Sequence, residues 1–213
     1  MSNVNLVWVT PNAEELITRM ARVSAPKNQD NMDTAPRLLR YLIKHKHWSP
    51  FEMSNMCVEI ETTRAISPQI LRHRSFSFQE FSQRYADTSE LGSAVIPHLR
   101  RQDHKNRQNS IDDLSPDAIS SYYRRISKLY EDAEHLYREM VSSGIAKECA
   151  RSVLPLSTQT RLFMNGTLRS WIHYLELRCH ESTQLEHREI AEAIKGIFCK
   201  EFPIIGEAAF AED

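Results

Sequence analysis

Residues 53–85 read MSNMCVEIETTRAISPQILRHRSFSFQEFSQRY. From Met53 to Thr62 the stretch alternates: Met56, Val58 and Ile60 fall on one side of an extended chain, Cys57, Glu59 and Glu61 on the other. That period of two predicts a half-buried strand. Ser67-Pro68 then reads as a helix start, with serine as N-cap and proline at the first helical position. The predicted helix, PQILRHR, carries Arg72, His73 and Arg74 at its C-terminal end, where cations complement the helix dipole. Residues 72–85 hold Arg72, His73, Arg74 and Arg84 around one carboxylate, Glu80, with Gln79, Gln83 and three serines between them. A solvated helix spreads its cations over several faces; this cluster gathers donors in one place.

The chain on either side fits a mixed architecture. NLVWVT (5–10) predicts a short strand. Helices are predicted from Pro11 to about Val23 and from about Thr34 to Lys46, each with apolar residues at helical spacing. AVIP (94–97) reads as a strand and residues 98–110 as a polar loop. Ser115-Pro116 caps a long helix ending near Gly144, with Ile119, Tyr122, Tyr123, Ile126, Leu129, Tyr130, Ala133, Leu136, Tyr137 and Met140 as a core or subunit-contact stripe. AKECARSVL is a short helix, TQTRLFMNG a strand, and LRSWIHYLELRC and TQLEHREIAEAIKGIFCKEF close the chain as helices. The order shows no regular βαβ alternation, which points to an α+β layer rather than a doubly wound sheet. The 213 residues suffice for one domain, 1–213, with a real core.

Composition removes several function classes. A net charge of −1 argues against generic nucleic-acid binding, which needs a basic excess. No apolar run reaches the ~18 residues of a membrane span, and MSNVNLVWVT lacks the cationic start of a signal peptide. Cys57, Cys149, Cys179 and Cys199 form no CxxC pair and read as small buried hydrophobes of a cytoplasmic protein, not as a zinc site. GxGxxG and GxxxxGK[ST] are both absent, so any nucleotide is held by side chains and helix ends.

Three groups of residues bear on chemistry. Arg72-His73-Arg74 forms an anion site or, alternatively, a salt-bridged surface loop; arginine binds phosphate bidentately and keeps its charge. Glu80 and Gln79 could pair with those arginines, and Ser82 and Arg84, if extended, would point to the same side. His47-Trp48-Ser49-Pro50-Phe51-Glu52 is a second node; with His45 it gives HxH, but no third ligand completes a metal set, so the metal expectation is none. Arg151 and Arg178 end helices, and Arg169 and His173, four apart, share a helix face. No Ser-His-Asp order, nucleophile elbow or HExxH is present.

Arg72-His73-Arg74 followed after seven residues by Ser82 resembles the signature of the flavin-dependent thymidylate synthases, the thymidylate synthase complementing proteins. ARVS (21–24), HWSPFE (47–52), QRY (83–85), ARSVLP (150–155) and LRSWIHYLELR (168–178) resemble family segments in the family's order, so the likeness covers about residues 13 to 200. The resemblance implies an α/β sandwich with a large twisted sheet flanked by helices. It implies reductive methylation of dUMP to dTMP, with 5,10-methylenetetrahydrofolate as carbon donor, NADPH as reductant and FAD as carrier. It implies a homotetramer whose active sites draw on more than one chain, with no nucleic acid and no membrane as partner. Ser49, Arg72, His73, Arg74, Glu80, Thr167, Leu168, Arg169 and His173 would lie at FAD. Gln69, Ile70, Leu71 and Arg72, then Glu80, Phe81, Ser82, Gln83 and Arg84, would lie at dUMP, with Arg151 arriving from a neighbouring chain. Arg178 would be the catalytic residue, facing the uracil ring and stabilising its ionised form.

The chemistry of the residues agrees with that implication. A guanidinium beside the uracil ring stabilises negative charge there, and a flavin supplies hydride while the protein orients it. None of the four cysteines lies in the anion cluster, so a cysteine-based route to C6 lacks its nucleophile; Ser82 has no evident base and is expected to bind rather than attack. Gln79 and Thr167 stand where the family commonly has Asn, and residues 98–110 look local to this chain. The competing readings are an RNA-binding module clamping a strand with the arginine cluster and aromatics, and a metal hydrolase using His45 and His47. Bound flavin separates the first from the family reading, and sensitivity to chelators the second.

Overall fold

The computed structural model describes residues 2–211, the side chain of Ser89 apart. In chain order its elements are β1 (Asn3–Val9), α1 (Ala13–Ala21), α2 (Ala35–Lys44), β2 (Asn55–Thr63), α3 (Ser67–Ile70), β3 (Ser77–Glu80), β4 (Arg101–Gln102), β5 (Ser110–Ile111), α4 (Pro116–Ser142), α5 (Lys147–Ala150), β6 (Gln159–Thr167), α6 (Leu168–Arg178), α7 (Leu185–Glu201) and α8 (Pro203–Phe210). A 3-10 turn over Ser49–Met53 leads into β2.

Four strands form an antiparallel sheet in the order β1-β2-β6-β3. The alternation read in β2 sets its two faces. Met56, Val58 and Ile60 lie beside Met164 and Leu162 of β6, all five fully buried under the helices. On the opposite face Arg161 lies 3.0 Å from Glu59 and 2.8 Å from Glu61. The covered face packs against Ile17 of α1, Leu39 of α2, Trp171, Ile172 and Leu175 of α6, Ile190, Ile194 and Phe198 of α7, and Ile205 of α8. Fully burying one such side chain contributes about 1.5–3 kcal/mol, so this layer drives the fold. The buried Trp171 indole N–H donates to the Met56 carbonyl at 2.9 Å, fixing α6 on the sheet at no polar cost.

The structure refines several expectations. α3 stops at Ile70, and Arg72–Arg74 occupy the turn after it. Ser67 is the first helical residue and not its cap; its hydroxyl donates to Glu80 at 2.6 Å. Residues 94–97 form no strand: the Ala94 N–H goes to the Glu134 carboxylate of α4 at 2.8 Å and the Val95 N–H to the Ser157 carbonyl at 3.0 Å. The loop at 98–110 contains the small β4–β5 hairpin, clamped by paired Arg101–Asp113 bonds of 2.8 and 2.6 Å. Ser115 does cap α4, accepting from the Ala118 N–H, and Gly144 with φ +85° follows it. The α4 stripe is split. Tyr137 is buried, whereas Tyr122, Leu129 and Leu136 are exposed. Cys57 is buried, but Cys149 is exposed, against the expectation of four buried thiols; all four are free. Among the described residues no helix is long and apolar enough to cross a membrane.

Candidate active site

The segment carrying Arg72, His73 and Arg74 bridges α3 and β3, and one aromatic anchors it. Phe76 is buried, with its ring centroid 4.7 Å from that of Trp171 and 5.8 Å from that of Tyr174. Its ring lies over Gly166 of β6, where a Cβ would come within 2.4 Å of it; only glycine allows that approach. Fixing Phe76 fixes the turn before it. Arg72 and Arg74 are exposed there, and neither makes an ion pair among the described residues.

His73 turns inward. Its Nε2 accepts from Arg178 Nε at 2.9 Å, at the last turn of α6, and its ring stands edge-on to Tyr174 at 4.8 Å. Burial, with the Arg178 charge and then His173, holds the His73 pKa down to about 4. The ring is therefore neutral at pH 7, and because Nε2 accepts, its proton sits on Nδ1. Below it the buried Tyr174 hydroxyl lies 3.0 Å from His187 Nε2. His187 is fully buried, its Nδ1 has no partner among the described residues, and burial, followed by Arg178 and His73, lowers its pKa to about 4. Burial pushes the Tyr174 phenol well up, so it stays protonated. Two neutral imidazoles thus flank one guanidinium without competing with its charge.

Beside this group lies a cleft of about 380 Å³ lined by Trp48, Glu52, Ser75, Arg169, Ser170, Ile172, His173 and Glu176. That volume lies within the ~300–1,000 Å³ of small-ligand sites. Arg169 and His173, one turn apart on α6, both reach it, as their spacing predicted. Arg169 is ion-paired with Glu52 of the Ser49–Met53 turn. Ser49 is exposed at the start of that turn. Thr167 caps α6, its hydroxyl accepting from the Ser170 N–H at 3.2 Å. Leu168 is fully buried in the core, and its N–H donates to the Ser54 carbonyl at 2.9 Å.

The second set of predicted residues lies along α3 and β3. Glu80 accepts from Ser67 at 2.6 Å and Thr160 at 3.0 Å, and its Oε1 lies 2.7 Å from Arg64. Its partner is thus Arg64, just past β2, and not the arginines of the 72–74 cluster. Gln69 donates to Gln184 at 2.7 Å. Ile70 is a core side chain and Leu71 is half-buried. The Phe81 N–H continues the β6 ladder to Arg161 at 2.9 Å. Ser82 and Arg84 are not extended. The Ser82 carbonyl accepts from the N–H groups of Tyr85 and Ala86, closing a turn, and exposed Arg84 lies 3.3 Å from Glu148 of α5. Gln83 is buried and its Nε2 has no partner among the described residues. Arg151 is half-buried at the end of α5, where no bond joins it to Arg72 or Arg178.

Arg64, Tyr174 and His187 are the residues that sequence reading missed. His187 carried a signal, sitting at helical spacing with Ile190, Ala191 and Ile194 on the buried face of α7. Arg64 carried none. His45 packs tilted against Tyr41 and His47 stands edge-on to it, and among the described residues no group of three or more His, Cys, Asp or Glu is placed to hold a metal ion.

Comparison with known proteins adds independent information. The family described as thymidylate synthase complementing protein matches residues 5–204. The chain is 54% identical over 197 residues to a probable flavin-dependent thymidylate synthase of Paramecium bursaria Chlorella virus 1, covering 92% of this chain and 90% of that one. It is 53% identical over 195 residues to a flavin-dependent thymidylate synthase of Synechocystis, covering 92% and 88%. Its fold matches a crystal structure of the UMP/dUMP methylase PolB of Streptomyces cacaoi bound with 5-Br dUMP, with a TM-score of 0.86, 29% identity, and coverage of 98% of this chain and 94% of the other.

Proposed function

Because this chain belongs to the thymidylate synthase complementing protein family, we propose that it is a flavin-dependent thymidylate synthase, a methyltransferase that converts dUMP to dTMP. On this reading 5,10-methylenetetrahydrofolate gives the carbon, NADPH the reducing equivalents, and FAD is the resident cofactor. Residues 1–213 act as one cytoplasmic domain within a homotetramer, whose sites are completed by Arg151 of a neighbouring subunit.

The observation that carries the reading is the Arg178–His73 pair beside the Arg169/His173 cleft, with Arg72 and Arg74 making no ion pair among the described residues. A flavin dinucleotide needs a cleft with an aromatic wall and fixed cations for its pyrophosphate. Trp48, His173 and the Glu52-paired Arg169 line the cleft, and exposed Arg72 and Arg74, outside its lining, would supply further cations. Ser49, Glu80, and the 167–168 backbone complete the proposed set. Bound flavin would supply hydride chemistry; the chain's residues bind and orient. Gln69 to Arg72 and Glu80 to Arg84 would hold dUMP, and the unpartnered Gln83 Nε2 suits a ligand acceptor, since a buried donor left unpaired costs about 1–3 kcal/mol. Arg178 presents a guanidinium cation. Its Nε is committed to neutral His73, so the rest of the guanidinium is aimed by that bond and stabilises charge developing on the uracil ring.

The test is the visible spectrum of the purified protein, before and after anaerobic NADPH, with and without dUMP. A flavin spectrum that bleaches at a rate altered by dUMP is the expected result. A colourless protein that takes up no added FAD overturns the proposal.

A further inference from the structure

Resting on the nucleotide reading above, we propose that Arg100 and Glu186 form a relay that fixes which end of the Gln69 amide faces the nucleotide. An unbroken line of contacts carries it. Arg100 Nη2 lies 2.8 Å from Glu186 Oε1. Glu186 Oε2 accepts from Gln184 Nε2 at 2.9 Å. Gln184 Oε1 accepts from Gln69 Nε2 at 2.7 Å.

Polarity runs one way along this line. A guanidinium only donates and an ionised carboxylate only accepts. Gln184 must therefore turn its NH₂ to Glu186 and its carbonyl to Gln69. Gln69 must in turn spend an N–H on Gln184, which leaves Gln69 Oε1 as a free acceptor. An N–H or O–H donor of the nucleotide is the group it would take. Without the carboxylate, both amides can rotate by half a turn with little change in shape, and Gln69 would present either end.

The relay is held at its far end by the polar hairpin, which the catalytic reading leaves without a role. The Arg100 side chain is only 12% exposed, and Glu186 only 20%. Arg100 Nε donates to Ser110 at 2.8 Å and Nη1 to the His98 carbonyl at 3.1 Å, so β4–β5 and its flanks place the guanidinium. Burial pushes the Glu186 carboxyl up, but bonds from Gln184 and its own backbone N–H, with the nearby Arg100 charge, together bring it below the usual carboxylate range. It is ionised at neutral pH, as the polarity requires.

Glu186→Gln tests this with a near-isosteric change. The expected result is a KM for dUMP raised about three- to tenfold, the worth of one neutral hydrogen bond, with kcat and the flavin spectrum kept. Arg100→Gln should act in the same direction, which keeps the test open if one variant folds poorly. Adding Glu186→Gln to Gln69→Ala should raise KM no further than Gln69→Ala alone. If Gln69→Ala raises KM while Glu186→Gln and Arg100→Gln leave it unchanged, or if the double variant is additive, the relay is overturned and the nucleotide site stands. If Gln69→Ala itself leaves KM unchanged in an enzyme that turns over dUMP, Gln69 is no nucleotide ligand and the proposal falls with that assignment. A parent protein that neither binds flavin nor turns over dUMP refutes the functional reading instead.

Discussion

Taking the protein from about pH 7.5 to about pH 5 should cost it stability through one buried side chain, and His187→Gln should remove that cost. His187 is fully buried, and among the described residues its ring is bonded through Nε2 to Tyr174 while Nδ1 has no partner. Its pKa falls from 6.5 in an unfolded chain to about 4 in the fold. Between those values the unfolded state binds the proton and the folded state does not, so stability rises with pH and is lost as the pH falls from 6.5 toward 4. One pKa unit is about 1.4 kcal/mol, so integration over the shift gives about 2 kcal/mol lost by pH 5 and almost nothing at pH 7.5. His73 adds to the loss with the same sign, but by less, because its partial exposure lets solvent screen it. The assay is urea denaturation of parent and His187→Gln at both pH values. Carboxylates contribute to the acid slope of both proteins, so the difference between the slopes isolates the imidazole. The variant should lose about 2 kcal/mol less than the parent over this interval. Equal slopes would refute the assignment of His187 as a neutral buried group.

Three further outcomes follow from the packing and the charges. Gly166→Ala should destabilise by about 1–3 kcal/mol, the usual cost of overpacking, because the new methyl meets the Phe76 ring; urea melts would show it, and Phe76→Leu should recover part of the loss in the double variant. Arg64→Met should cost about 1 kcal/mol, as for a partly exposed ion pair, and raise the KM for dUMP, since Glu80 would then keep the Ser67 and Thr160 hydroxyls without their cation; parent-like stability and KM would show that Glu80 does not depend on it. Arg178→Ala should retain the flavin spectrum but lose about a hundredfold or more in methylation, on the scale of removing one preorganised charge-stabilising donor, and retained turnover would remove Arg178 from the mechanism.

Where burial depends on one face of one element, the sequence was a sufficient guide. The period of two in β2 places Met56, Val58 and Ile60 in the core, and the helical spacing in α2 places Leu39 and Leu42 there, as the structure buries them. It failed where tertiary partners decide. AVIP has the composition of a strand, but Glu134 of α4 takes the Ala94 N–H that a ladder would need. Ser67-Pro68 has the chemistry of a cap, yet Glu80, thirteen residues on, offers the hydroxyl a stronger acceptor than it could be to the backbone. α8 was not predicted; in the structure Pro203 occupies the first turn of this further helix, where its missing N–H costs nothing.

The misplaced partner of Glu80 teaches more. Nearness in sequence suggested Arg72 or Arg74, since each lies within eight residues of it. Pairing is set instead by the sheet: Arg64 follows β2 and Glu80 ends β3, and both strands flank β6. No local pattern can show that, because it depends on a strand that enters some eighty residues later. The correction also strengthens the chemistry. Had Glu80 neutralised Arg72 or Arg74, the cluster would be a closed surface network with little left for a ligand. Because Arg64 satisfies Glu80, Arg72 and Arg74 stay exposed and unpaired among the described residues, and His73 is held neutral against Arg178. Guanidinium groups without an ion-pair partner among the described residues, on a segment pinned by Phe76, suit the proposed binding of phosphate-bearing ligands.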